Sequence, residues 1–181
     1  MFIYFNVFKF MKQSLYDVVI IGAGVIGHSI AFRLKQCRPD LSLAIFGDPM
    51  NSLMASRAAA GMLAPFGECS EADRFFKFCR ESLLKYPNFI ENLISVSNLP
   101  VNFSMNGSLI PSSSLKGGWG KKIRFFRDEN VPYKIWSPNK RRQLAPALAE
   151  SCGEVLWVGE GQVNNREMHN ALVTASRKLG I

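Results

Sequence analysis

Tyr16-Asp17-Val18-Val19-Ile20-Ile21-Gly22-Ala23-Gly24-Val25-Ile26-Gly27 is the stretch that decides the fold class. Its first half is a short β-branched run, the composition of a buried strand. Its second half is G-x-G-x-x-G, and a helical pattern follows with Ile26, Ile30, Ala31 and Leu34 on one predicted apolar face. Arg38-Pro39-Asp40 ends that helix, because proline cannot continue it. Leu41–Phe46 is the next strand, so the whole forms a βαβ unit of about 30 residues. Each glycine has a physical task in such a unit. Gly22 allows the tight strand-to-helix turn, Gly24 lets backbone approach a pyrophosphate, and Gly27 lets the helix pack closely on the sheet. The helix start supplies N–H groups and partial positive charge to phosphates.

Reading outward, Phe46 runs into Gly47-Asp48-Pro49. Asp48 stands 21 positions after Gly27, near the spacing of a ribose-binding acid; a plain turn Asp before Pro49 is the alternative. Small residues then dominate up to position 69, centred on Ala58-Ala59-Ala60-Gly61-Met62-Leu63. Ser70 with Asp73 reads as a helix cap, with Ala72, Phe75, Phe76, Cys79 and Leu83 as the apolar face. Pro87 is expected to break this helix, which resumes over 89–96. Val101–Ser104, Asn106-Gly107 and Ser108–Ile110 read as a β-hairpin. A helix is expected over 121–128, a strand over 133–136, and a helix start at Ser137-Pro138. Val155–Val158 and Gln162–Val163 flank a Gly-Glu-Gly turn. Asn165 is expected to cap a helix over 166–179 with Met168, Leu172, Ala175 and Leu179 inward and Gly180 after its end.

The chain has 181 residues, 48% hydrophobic and 20% charged, the balance of an ordinary globular domain. No apolar run approaches the roughly 20 residues that span a bilayer, so no membrane partner is expected. Cys37, Cys69, Cys79 and Cys152 are scattered without a C-x-x-C pair, and His28 and His169 lie far apart. No metal site is therefore expected, and four reduced thiols suit a cytoplasmic protein. The net charge of +8 is local: 116–142 holds nine Lys/Arg against two Asp/Glu, and the remainder is nearly balanced. A solvated face accounts for that, so nucleic acid is not expected beyond weak, salt-dependent RNA binding. Residues 1–13, MFIYFNVFKFMKQ, make a poor secretory signal. The first ten of them read as an extension ahead of an ordinary start at Met11.

The glycine turn alone does not choose a dinucleotide. The stretch Ala55-Ser56-Arg57-Ala58-Ala59-Ala60-Gly61-Met62-Leu63-Ala64-Pro65 resembles the second flavin-binding segment of the FAD-dependent D-amino acid oxidase family, in its glycine oxidase branch associated with thiamine biosynthesis. Glu68, the helix that follows it, Asn106–Ile110, Leu144–Leu148 and the helix after Gln162-Val163-Asn164 continue the likeness, which runs from Tyr16 to Ile181. The resemblance implies FAD as cofactor, held by Gly22, Gly24, Val25, Ile26 and Gly27, by Gly47 and Asp48 at the adenosine ribose, and by Ala55, Ser56, Ala60, Gly61 and Met62. Members often carry Glu where this chain has Gly47. Met62 is expected either beside the flavin ring or in core packing.

The implied fold is α/β: a Rossmann-like FAD-binding domain followed by the beginning of an α+β substrate domain, truncated relative to the family. The expected division is 1–14 extension, 15–98 FAD-binding, 99–160 start of the substrate domain, and 161–181 return to the FAD-binding domain. The implied reaction oxidises a small-molecule amine or amino acid by hydride transfer to flavin N5, with dioxygen as the second partner. No catalytic residue is assigned, because the substrate-binding arginine of the family falls in its second half. His28 is read as a helix-surface residue and His169 as structural, with Arg57 and Arg166 on the surface. Homo-oligomer formation is left open. The alternatives are a non-catalytic remnant, or the flavin module of a tRNA-modifying enzyme. The chain alone is expected to be inactive.

Overall fold

A computed structural model describes residues 15–49, 55–114 and 119–181. The leader over 1–14 lies outside the described residues, as do 50–54 and 115–118. β1 (Val18–Ile21) and β2 (Leu43–Phe46) pair in parallel, Val18 opposite Leu43 and Ile21 opposite Phe46. α1 (Val25–Cys37) crosses between them and stops two residues before Pro39. The βαβ unit is therefore where the glycine pattern puts it.

Of the expected apolar face, α1 buries Ala31 but neither Ile26 nor Ile30. Gly27, His28, Ala31 and Phe32 face inward, while Ile26 is 74% exposed and Ile30 is also exposed. The cause is a close approach at Gly27, where a Cβ would stand 2.0 Å from the Gly22 carbonyl oxygen and 3.3 Å from the Ile20 side chain. Seating that glycine against the turn fixes the rotation of the helix. The final helix then packs along α1.

After β2 come α2 (Ala55–Ala58), β3 (Met62–Leu63) and α3 (Pro65–Glu68). α4 (Arg74–Ser97) is the spine of the molecule. Asp73 caps it, accepting from the Phe76 N–H at 2.7 Å, so the cap is Asp73 rather than Ser70, and Ala72 lies outside the helix. The helix runs unbroken through Pro87. Proline in a helix costs about 3 kcal/mol, but α4 is pinned on both sides of it. Phe76 and Leu83 pack into one core and Ile90 and Leu93 into another. Asn98, with φ of 58°, ends the helix in the left-handed conformation.

β4 (Phe103–Ser104) and β5 (Ser108–Pro111) do not form the expected hairpin. They run on in one direction and pair antiparallel with β8 (Gly161–Val163) and β7 (Val155–Val158). The register is continuous, from Phe103 opposite Val163 to Ser108 opposite Val158 and Pro111 opposite Val155. Likewise, Gly159-Glu160-Gly161 is a crossing between sheets and does not fold β7 back on β8. The two sheets it joins are β3-β8-β4 and β5-β7-β6. The latter is completed by β6 (Tyr133–Trp136), with α5 (Gly120–Asp128) before it and α6 (Pro138–Leu144) after it. Ser137 caps α6 as expected. α7 (Asn165–Lys178) closes the chain, capped by Asn164 rather than Asn165, and Gly180 takes the left-handed position after it. No helix among the described residues is long and apolar enough to cross a membrane.

Two cores result. The first joins Phe32 of α1, Ile90 and Leu93 of α4, and Met168, Ala171, Leu172 and Ala175 of α7. The second joins Phe66, Phe76 and Leu83 to Phe125, Phe126, Leu156 and Val158.

Candidate functional site at the glycine turn

Strand β1 ends with the Gly22 N–H donating to the Phe46 carbonyl at 2.8 Å, which ties the glycine turn to the end of β2. Gly47 then turns the chain with φ of +151°. A Cβ there would lie 2.8 Å from the Ala23 nitrogen, so this backbone excludes a glutamate side chain at position 47. Asp48 follows and is exposed.

Gly24 precedes α1 in an extended conformation, with no side-chain cap and no acidic residue in the first turn. First-turn amides have no acceptor within their own helix. One of them, the Val25 N–H, donates to Ser56 Oγ at 3.0 Å. That single bond brings the second small-residue segment to the mouth of the glycine turn.

α7 holds both segments from behind. Asn165 Nδ2 donates to the Ser56 carbonyl at 2.7 Å, and Arg166 Nε donates to the Arg57 carbonyl at 3.2 Å. These are carbonyls at the end of α2, which lack helical partners. Arg57 reaches back to Asn170 Oδ1 at 3.3 Å. The Val163 N–H donates to the Gly61 carbonyl at 2.9 Å, and Met62 pairs with Gln162. His169 Nε2 bonds the Ala23 carbonyl at 3.0 Å, and a carbonyl only accepts, so this nitrogen carries the proton.

The expected residues Gly22, Gly24, Val25, Ile26, Gly27, Gly47, Ala55, Ser56, Ala60, Gly61 and Met62 thus belong to segments gathered around α1, β2 and α7. Met62 is 60% exposed and lies outside both buried cores. Arg57 and Arg166 lie at the surface but are engaged by α2 and α7 as described.

The sequence did not disclose the roles of Asn165, His28 and His169. His28 is buried, not on the helix surface; its Nδ1 lies 2.9 Å from Ser176 Oγ and its ring meets His169 edge-on at 5.8 Å. Burial, then the neighbouring His169 and Arg177, push its pKa down to about 4, so it is neutral at pH 7. His28 Nε2 and His169 Nδ1 are buried without a partner among the described residues. A histidine at the centre of an apolar helix face, as His169 stands between Met168 and Leu172, is the one available signal: a buried polar group needs a hydrogen-bond partner.

This arrangement suits a diphosphate. The α1 start carries no carboxylate, the His28 buried behind it is neutral, and the space in front of Gly22 is open where a Cβ would stand. A cavity of about 170 Å³ adjoins it, bounded by Ala23, His28, Gly47, Ser176 and Arg177. An apolar groove of about 290 Å³ runs past Met62, Leu63, Phe75, Phe78 and Tyr86.

A second buried polar cluster grips α3. Glu160 is fully buried at the crossing, accepting from the Gly67 N–H at 2.6 Å and from the Ser108 hydroxyl. Lys122 Nζ donates to the Gly67 carbonyl at 2.7 Å and to the Cys69 carbonyl. Burial raises the Glu160 carboxyl, partly offset by its hydrogen bonds from Ser108 and Gly67, and lowers the Lys122 ammonium, partly offset by the charge of Glu160.

Residues 17–181 match the model of the family described as FAD dependent oxidoreductase. The bifunctional protein ThiO/ThiG of Synechocystis is 29% identical over 170 residues, covering 93% of this chain and 24% of that protein. Glycine oxidase of Bacillus subtilis is 35% identical over 91 residues, half of this chain. The crystal structure of glycine oxidase from Geobacillus kaustophilus superposes with a TM-score of 0.80 at 28% identity, covering 91% of this chain and 45% of that one. The chain therefore spans between about a quarter and just under half of the relatives that it matches along most of its length.

Proposed function

The chain belongs to the FAD-dependent oxidoreductase family, and from that premise we propose that it is the FAD-holding part of an enzyme that oxidises an amine or amino acid, in the manner of the glycine oxidases it resembles. The chemistry that FAD supplies when bound is acceptance, at N5, of the hydride leaving the substrate α-carbon, with dioxygen as the final oxidant. The chain's own residues bind and orient. The amides of Gly24, Ile26 and Gly27 face the diphosphate, with Val25 engaged by Ser56 and the Gly22 N–H by the Phe46 carbonyl. Gly47 and Asp48 border the adenosine ribose. Ala55, Ser56, Ala60, Gly61 and Met62 lie along the flavin. Residues 15–98 and 161–181 form the FAD-binding domain and 99–160 begin the substrate domain.

The observation that carries this reading is the Val25–Ser56 bond, which joins the two separate segments into one site at an uncompensated helix start. The basic stretch offers an RNA partner fewer free cations than its residue count suggests. Lys122 and Arg141 are buried, Lys134 and Lys140 lie over Trp157 and Trp136, and Arg142 pairs with Glu150. The test is incubation of the 181-residue chain with FAD followed by gel filtration. A flavin absorption band eluting with the protein supports the reading; colourless protein overturns it.

A further inference from the structure

We propose that α7 is the bracket that sets the cofactor site, with His169 and Asn165 as its positioning residues. This deepens the reading above and rests on it. Neither side chain is among the residues assigned to the cofactor; each acts through backbone.

His169 acts on the glycine turn. A peptide unit is planar and trans, so the carbonyl of one residue and the N–H of the next point in opposite directions. The His169 Nε2–H holds the Ala23 carbonyl at 3.0 Å, toward α7. The Gly24 N–H, in the same peptide plane, is thereby aimed away from α7, at the end of α1 where a diphosphate sits. His169 is fully buried and packed against His28, which is itself fixed by Ser176, so the donor has little freedom to swing. Rotation of the Ala23–Gly24 peptide would cost the hydrogen bond and leave two polar groups without partners.

Asn165 acts on the second segment. It lies one helical turn before His169 and therefore on the same face of α7. Its Nδ2 holds the Ser56 carbonyl at 2.7 Å, and Ser56 Oγ in turn accepts the Val25 N–H at 3.0 Å. Arg166 adds a second anchor at the Arg57 carbonyl. One face of one helix thus fixes the first glycine segment and the second small-residue segment relative to each other.

The experiment measures binding of ADP and of FAD to the 181-residue chain by calorimetry and flavin fluorescence, alongside the melting temperature of the unloaded protein. His169→Phe keeps the ring volume and removes the donor. It is expected to weaken both ligands about tenfold, the size of one lost hydrogen bond to a buried carbonyl. His169→Gln places an amide N–H near the position of Nε2 and is expected to bind within about threefold of the unsubstituted chain. Asn165→Leu and Ser56→Ala are each expected to weaken FAD. Their combination is expected to do so by no more than the larger of the two, because one acts through the other.

Equal binding by His169→Phe, or equal loss in His169→Gln, overturns the role of the His169 hydrogen bond. Additive effects of Asn165→Leu and Ser56→Ala overturn the role of Asn165. If His169→Phe does not fold, the glutamine variant and the double-mutant comparison decide. Absence of ADP and FAD binding by the unsubstituted chain overturns the functional reading instead, and this inference with it.

Discussion

The two cores bury different kinds of polar group. Behind the glycine turn the buried polar residues among those described are His28, His169 and Ser176, and burial keeps His28 uncharged at neutral pH. Around the antiparallel sheet they are Lys122, Arg141 and Glu160. Both sets hold backbone in place. His169 holds Ala23, Lys122 and Glu160 hold the Gly67 peptide from its two ends, and Arg141 holds the Leu148 and Ala149 carbonyls at 2.5 and 2.9 Å. The difference is electrostatic. A buried carboxylate beside the α1 start would repel a diphosphate, whereas imidazole and amide donors fix the same geometry without that repulsion. In the second core, a carboxylate and an ammonium moderate one another's burial. The glycine turn is braced by imidazole and amide side chains, and the antiparallel sheet by an ammonium, a guanidinium and a carboxylate.

Four substitutions or titrations press on that contrast. The largest effect is expected from Gly27→Val in the first core. Its Cβ would enter the space of the Gly22 carbonyl, so a loss of about 4 kcal/mol or more is expected from urea unfolding. A loss below 1 kcal/mol would mean that the turn is not closely packed. Glu160→Ala comes next, at about 3 kcal/mol, because the Gly67 N–H and Ser108 hydroxyl lose their acceptor. Glu160→Gln, which keeps an acceptor, should cost about 1 kcal/mol.

The third test is pH. The folded pKa of His28 is about 4 against an ordinary 6.5. The unfolded chain therefore takes up the proton first as pH falls. The stability that His28 contributes is fully present above 6.5 and is lost on descent toward 4, by about 3 kcal/mol. Glu160, with its carboxyl raised by burial, shifts stability the opposite way, so the comparison is with His28→Gln. Unfolding midpoints of that variant should fall less steeply between pH 6.5 and 4; parallel curves would remove His28 from the account. The smallest effect is expected from Asp73→Ala, about 1 kcal/mol for one helix cap, felt equally by both cores because α4 serves both.

What the sequence disclosed depended on how local the cause was. The βαβ unit, the Ser137 cap and α5, β6 and α6 were legible because each is specified by residues within a few positions. The pairing of β4 and β5 was not, since Asn106-Gly107 carries the same local signal whether the chain folds back or runs on. The choice was made by β7 and β8, some fifty residues later. The buried face of α1 was misread because the apolar residues Ile26 and Ile30 outrank glycine in any pattern of hydrophobicity. In the structure it is the missing side chain of Gly27 that sets the helix rotation. His28 was misread for the same reason: α7 covers it, and nothing within its own helix says so. The two small-residue segments were legible as residues, while the helix that hydrogen-bonds both was legible only as a helix.

Hydrogen exchange of the 181-residue chain with and without FAD bears most directly on the claim that two distant segments form one cofactor site. The account predicts that FAD slows exchange together in peptides covering 22–28 and 55–62 and leaves 120–158 unchanged. Slowing confined to one of the two segments, or spread equally over the antiparallel sheet, would contradict it.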